Sequence, residues 1–249
     1  MFQLILLSLL ATPLALSKSL IVTNNCPYTV WPVISNTNVG GGYNGPRGWE
    51  APPGHWQTEQ IPEVWNGRIW ARRGCTFDEA GNGNCLAGAC PNGGLECGDQ
   101  MMGNFGNLVE MNLGVDGLDW YDVSAVPGFI LPMSIVPGDS SCKTVSCTAD
   151  LNPTCPDNRL KVTDNGETIG CKSACFAGIN AGPNSANCCS GTFLSHEACQ
   201  PQMVDFYDFF KQGCPDAYAY PRDEDPTGKR PDVVFTCSPA VPWYRITFC

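Results

Sequence analysis

The sequence predicts a mainly β fold, a sandwich or barrel of short strands carrying a disulfide-dense loop region. Three observations carry this expectation. Short apolar–polar alternations recur along the chain, 27 glycines and 21 prolines punctuate it, and one segment has the 3.6-residue period of a helix. At 249 residues the chain can bury a substantial core, and all-β folds of this length often form one unit.

Residues 1–17, MFQLILLSLLATPLALS, are almost wholly apolar from Phe2 to Leu16 and end in Ala15-Leu16-Ser17. Small residues at the two positions that a signal peptidase reads mark a secretory signal peptide cut near Ser17–Lys18, leaving residues 18–249 as the mature domain. The run is shorter than the about 20 residues of a membrane span. No second such run follows and the chain ends at Cys249, so no stable membrane anchor is expected.

Leu20–Ile34 (LIVTNNCPYTVWPVI) reads as strand, turn at Asn24–Pro27, and strand. Gly40–Gly48 is a glycine-rich turn. In Trp65–Arg73 (WNGRIWARR), Arg68, Trp70 and Arg72 share one face, with Ile69 and Ala71 on the other. A loop with four cysteines follows at residues 75–97. Asn107–Asn112, Trp120–Val126 and Phe129–Ile135 are strand-like, as are Val233–Thr236 and Trp243–Phe248 near the end. Residues 142–214 hold nine of the 16 cysteines and mostly loop signals. Their one helix candidate is Gln200–Gln212, where Met203, Phe206, Tyr207 and Phe210 form a buried stripe, Pro201 suits the first turn and Gly213 the stop.

Acids outnumber bases 24 to 14, a formal charge of -10, so a nucleic acid or an anionic membrane would repel this chain. Sixteen cysteines in an exported chain imply up to eight disulfides. Cys188 and Cys189 are adjacent, so each pairs elsewhere. No CxxC pair occurs, and His55 and His196 lie in no ligand-spaced cluster, so neither metal nor cofactor is expected. Serine hydrolysis lacks a GxSxG. The one N-glycosylation frame, Asn152-Pro153-Thr154, is blocked by its proline.

Gly81–Cys97, GNGNCLAGACPNGGLEC, resembles the signature of thaumatin-like proteins, as do RIWARRGCTF, YDVSAVPGF, CPDAYAYPRDEDPT and the terminal YRITFC. The resemblance spans the mature chain, and all 16 cysteines fall in the family's order. The signature's Thr-Gly-Asp is here Ala87-Gly88-Ala89, which removes two polar side chains from that loop. The resemblance implies a flattened β-sandwich with two small disulfide-rich lobes, one carrying the helix near 200–212. It also implies the pairs Cys26–Cys249, Cys75–Cys85, Cys90–Cys97, Cys142–Cys237, Cys147–Cys214, Cys155–Cys171, Cys175–Cys188 and Cys189–Cys199. An acidic cleft would lie between the sandwich and the helix-bearing lobe.

The acids of Leu108–Ser124 (LVEMNLGVDGLDWYDVS) bear on that cleft. Alternation sets Val109, Met111 and Leu113 on one side of their strand and Leu108, Glu110 and Asn112 on the other. It likewise separates Tyr121, Val123 and Ala125 from Trp120, Asp122 and Ser124. If the apolar rows face the core, Glu110 and Asp122 leave it together. Asp116 and Asp119 read as turn and solvent residues, Asp119 at most bordering the groove. By resemblance the cleft is lined by one Arg, one Glu and three Asp. Arg68, Glu110, Asp122 and Asp223 match four of them, while Pro127 stands where the middle aspartate should be.

The leader and the disulfides together imply a secreted monomer of the cell exterior or wall, and the resemblance implies that it acts on or binds β-1,3-glucan, as a weak endo-β-1,3-glucanase. Glu110 would be general acid, Asp122 the second carboxylate, and Arg68 and Asp223 substrate-binding residues. The alternative is a non-enzymatic antifungal, defence or glucan-binding protein using the same groove. An enzyme-inhibitor role has no marked loop here, and the sweet-tasting relatives are strongly basic where this chain is acidic. Because long disulfide closures restrict the unfolded chain, reduction is expected to abolish the fold. Native circular dichroism that survives strong reductant would contradict this.

Overall fold

The computed structural model describes residues 17–40 and 42–249. The leader expected over residues 1–17 lies outside the described residues, apart from Ser17. The strands are β1 (Ser17–Asn24), β2 (Trp31–Gly40), β3 (Trp56–Pro62), β4 (Trp65–Phe77), β5 (Gly83–Ala87), β6 (Leu108–Val115) and β7 (Leu118–Ser124). After them come β8 (Gly128–Phe129), β9 (Met133–Pro137), β10 (Val145–Cys147), β11 (Lys161–Asp164), β12 (Glu167–Lys172), β13 (Phe235–Cys237) and β14 (Trp243–Phe248). One helix, α1 (Tyr207–Gly213), is found among the described residues.

Two sheets pack face to face. One has the order β10–β9–β14–β1–β3; the other runs β13–β7–β6–β4–β2, with β5 pairing the far half of β4. A small sheet, β11–β12–β8, belongs to a lobe. Alternation drives the packing: Leu20, Val22, Ile246 and Phe248 from the first sheet meet Ile69, Val109, Met111 and Val123 from the second in one buried cluster. The first and last strands, β1 and β14, lie parallel, and Cys26–Cys249 joins their ends. Every cysteine is in a disulfide.

A buried ion pair ties the sheets across this core. Asp119 on β7 is fully buried and takes Lys18 Nζ of β1 at 3.0 Å and the Tyr244 hydroxyl of β14 at 2.8 Å, while its other oxygen accepts from Gly114 N–H at 2.8 Å. Lys18 also donates to the carbonyls of Val241 and Pro239. This corrects the reading of Asp119 as a solvent or groove residue. Asp116 does sit in the β6–β7 turn, where Asp116 (φ 53°) and Gly117 (φ 74°) take the two left-handed positions of a tight hairpin.

Further expectations change. Burial splits the Arg68–Trp70–Arg72 face, because Trp70 and Arg72 are covered by the cysteine loop while Arg68 stays open. Arg72 gives hydrogen bonds to the carbonyls of Trp31, Gly94 and Leu95, and burial pushes its guanidinium down to about 10. In the loop that lacks the signature's two polar side chains, Asn104 Oδ1 accepts from Ala89 N–H at 2.9 Å and Phe105 N–H at 2.8 Å.

The expected Phe129–Ile135 strand breaks into β8 and β9, because Asn107 Oδ1 takes the Ile130 N–H at 2.9 Å and its amide donates to Leu131 O at 2.7 Å. The expected helix over 200–212 is a 3-10 turn at Pro201–Met203, then an extended Val204 and a turn at Asp205–Phe206, then α1. Asn187 pulls Asp205 out of helical geometry by accepting its N–H at 2.8 Å, and Phe206 enters α1 in a left-handed conformation. Met203 is exposed and Phe210 alone of the expected stripe is fully buried. The helix does stop at Gly213, where a side chain would run into Leu151.

The cross-sheet pair yields a test. Removing one partner strands the other's charge in the core, a cost of about 3–5 kcal/mol. Asp119→Ala should lower the unfolding free energy by that much in guanidinium, with the disulfides intact. A loss below about 1 kcal/mol, the worth of an exposed pair, would contradict the assignment.

Candidate active site

The core register builds the site. Ile69, Val109 and Val123 form one buried row across β4, β6 and β7, and the neighbouring row is Arg68, Glu110 and Asp122. Direct cross-strand partners keep their Cβ atoms about 4.5–5.5 Å apart, so three ionisable groups stand side by side on the outward face. They line a groove of about 320 Å³ with Asn66, Gly67, Met111, Asn112, Trp120 and Val234.

The two carboxylates live in different surroundings. Glu110 is 37% exposed and takes Arg68 Nε at 2.8 Å, while Arg68 is 24% exposed. Asp122 Oδ1 is buried with no hydrogen-bond partner in the protein. Burial pushes the Asp122 carboxyl well above the usual range; the negative charges of Glu110 and Glu224 add to this, against the pull of Arg68.

The helix-bearing lobe closes one side. Tyr218 lies alongside β7, with its N–H on Val123 O at 2.9 Å and its carbonyl accepting from Ala125 N–H at 2.8 Å. Burial raises the Tyr218 hydroxyl's pKa, and the charges of Asp122, Glu224 and Glu110 raise it further. Glu224 Oε1 stands 3.5 Å from His196 Nε2, and its Oε2 is buried without a partner. Sequence reasoning missed Glu224 and Tyr218. The one signal was the acid run in CPDAYAYPRDEDPT, which lies outside any regular strand and has no readable face.

The structure does not bring Asp223 to the groove with Arg68, Glu110 and Asp122. Its side chain is fully buried, with Lys211 Nζ at 3.0 Å and Arg230 Nη1 at 2.9 Å. Tyr207 OH and Ala219 N–H donate to its oxygens as well. With both oxygens occupied, Asp223 anchors the loop that presents Tyr218 and Glu224. Pro127 supplies no carboxylate, and the second acid acting on Asp122, after Glu110, is Glu224. No metal-binding cluster of His, Cys, Asp and Glu occurs among the described residues.

Residues 24–249 match the profile of the Thaumatin family. The chain is 41% identical over 230 residues to "Pathogenesis-related protein 5" of Arabidopsis thaliana, covering 91% of this chain and 87% of the relative. It is 37% identical over 230 residues to a "Glucan endo-1,3-beta-glucosidase" of Prunus avium, covering 91% and 88%. Among solved structures it shares its fold with a family 64 laminaripentaose-producing β-1,3-glucanase of Paenibacillus barengoltzii. That match has a TM-score of 0.53 at 14% identity and covers 97% of this chain and 78% of the other.

A carboxyl raised on folding binds its proton more tightly in the native state. Its stabilising contribution is present below the unfolded value and is lost as pH rises through the folded one. Asp122→Asn should therefore gain stability relative to wild type as pH rises from acid to neutral. Parallel stability curves for the two proteins would contradict the shift.

Proposed function

Because this chain belongs to the thaumatin family, we propose that it is a secreted protein that cleaves β-1,3-glucan as an endo-glucanase in the groove of Arg68, Glu110 and Asp122. The supporting observation is the contrast within that row: one carboxylate ion-paired, the next with an oxygen buried without a partner and its pKa raised. A glycosidic bond needs a protonated carboxyl on its leaving oxygen and a second carboxylate as base or nucleophile. These surroundings favour Asp122 as the proton donor and Glu110 as the second carboxylate, the reverse of the division expected from sequence.

Arg68 holds Glu110 in place and offsets part of the charge in the groove. Trp120, 37% exposed at the groove, is placed to stack on a sugar ring, and Asn66 and Asn112 supply amides to sugar hydroxyls. The name of the Prunus avium relative supports the substrate class. The eight disulfides suit an oxidising exterior. Among the described residues no helix is long and apolar enough to cross a membrane.

The test is reducing-sugar release from laminarin. Asp122→Asn and Glu110→Gln should each lower kcat/KM by about 10²–10⁴, and the wild-type rate should fall as pH rises through the raised Asp122 value. An aryl β-glucan oligosaccharide with an activated leaving group needs no acid, so it should restore turnover to Asp122→Asn and not to Glu110→Gln. Rescue of Glu110→Gln instead would reverse the two roles. Retained glucan binding with no release by wild type would make the groove a lectin-like site and favour the defence or glucan-binding reading.

A further inference from the structure

The outward face of the other sheet takes no part in the acidic groove. Alternation that buries Leu20 and Val22 of β1 turns Ile21 and Thr23 outward. Register sets Thr23 between Trp56 of β3 and Thr247 of β14, and Ile21 between Thr58 and Arg245. These six residues lie on an open groove of about 500 Å³, larger than the acidic one. Trp56 is 66% exposed, more than any other large apolar side chain among the described residues.

The chemistry of this face differs from the rest of the molecule. In a chain of net charge -10, the groove lining includes no carboxylate, and its single charged side chain is Arg245. Threonine hydroxyls both donate and accept hydrogen bonds, the guanidinium only donates, and the indole offers a flat apolar surface beside them. The apolar part of this face is the exposed Trp56 indole beside the half-buried Ile21, a flat platform rimmed by hydroxyls. Its open shape fits an extended polymer better than a small molecule, which concave sites enclose. An anionic polymer would meet one cation here against the field of the whole chain.

We infer that this face is a second binding surface, for a neutral polysaccharide. The two grooves lie on the outer faces of sheets packed face to face, so they point in opposite directions. A short oligosaccharide reaches one of them; a long chain or an insoluble matrix reaches both, and the two contacts then act multivalently. The choice of β-1,3-glucan as the first probe rests on the function proposed above; the surface itself does not.

The experiment measures partition of wild type, Trp56→Ala and Trp56→Phe onto insoluble β-1,3-glucan, cellulose and xylan. Hydrolysis of short soluble laminari-oligosaccharides and thermal unfolding midpoints are measured alongside. Trp56→Ala should weaken partition onto the bound polymer by about tenfold or more. Trp56→Phe should keep most of it, with oligosaccharide hydrolysis and unfolding midpoints unchanged in both. The same loss on cellulose or xylan alone would keep this surface and count against the glucan reading. Equal partition of wild type and Trp56→Ala, or no binding of wild type to any of the three, would overturn the inference. So would a Trp56→Ala effect confined to self-association in sedimentation, which would make the face a contact between copies of this chain.

Discussion

The core row of Ile69, Val109 and Val123 is the constraint on which the site depends. These three side chains are fully buried, and their packing against the opposite sheet leaves the strands one register. A slip of one residue would carry every apolar side chain of a strand to the wrong face. The row beside it is therefore placed as accurately as the core itself, and that row is Arg68, Glu110 and Asp122. No loop has to fold correctly to bring these three together, which is how a rigid scaffold holds a charged constellation against its own repulsion.

The lobe supplies what the sheet cannot. On an open sheet face Asp122 would be wet and its carboxyl ordinary. Tyr218, paired in parallel with the end of β7, and Glu224 behind it surround that carboxyl with low-dielectric material and negative charge. The lobe is held there by Asp223, neutralised by Lys211 and Arg230, and by disulfides such as Cys147–Cys214 that tie α1 to the sandwich. A buried, fully bonded acid thus anchors the loop that covers a second carboxyl, whose own place is set by the sheet.

Much of this was legible in the strands. Alternation separated Glu110 and Asp122 from Met111 and Tyr121, and Asp116-Gly117 announced the hairpin. Asp119 shows a signal that was present and passed over: it shares the parity of Tyr121 and Val123, so a strand begun at Leu118 points it inward. Elsewhere the deciding contacts were tertiary. The break before α1 depends on Asn187, 18 residues from Asp205. That Asp223 is locked away, leaving Glu224 to act on Asp122, depends on where Lys211 and Arg230 stand, which no local period encodes. The unequal surroundings of Glu110 and Asp122 likewise come from the lobe's closure over one end of their row.

The central claim is that Asp122 carries a proton at pH values where ordinary carboxylates have lost theirs. Infrared difference spectra, wild type minus Asp122→Asn, measured across a pH series, read that proton directly. The account predicts a protonated-carboxyl band assigned to Asp122 that disappears with a midpoint well above the aspartate reference of about 3.9. A band that is lost in step with the solvent-exposed aspartates would contradict it.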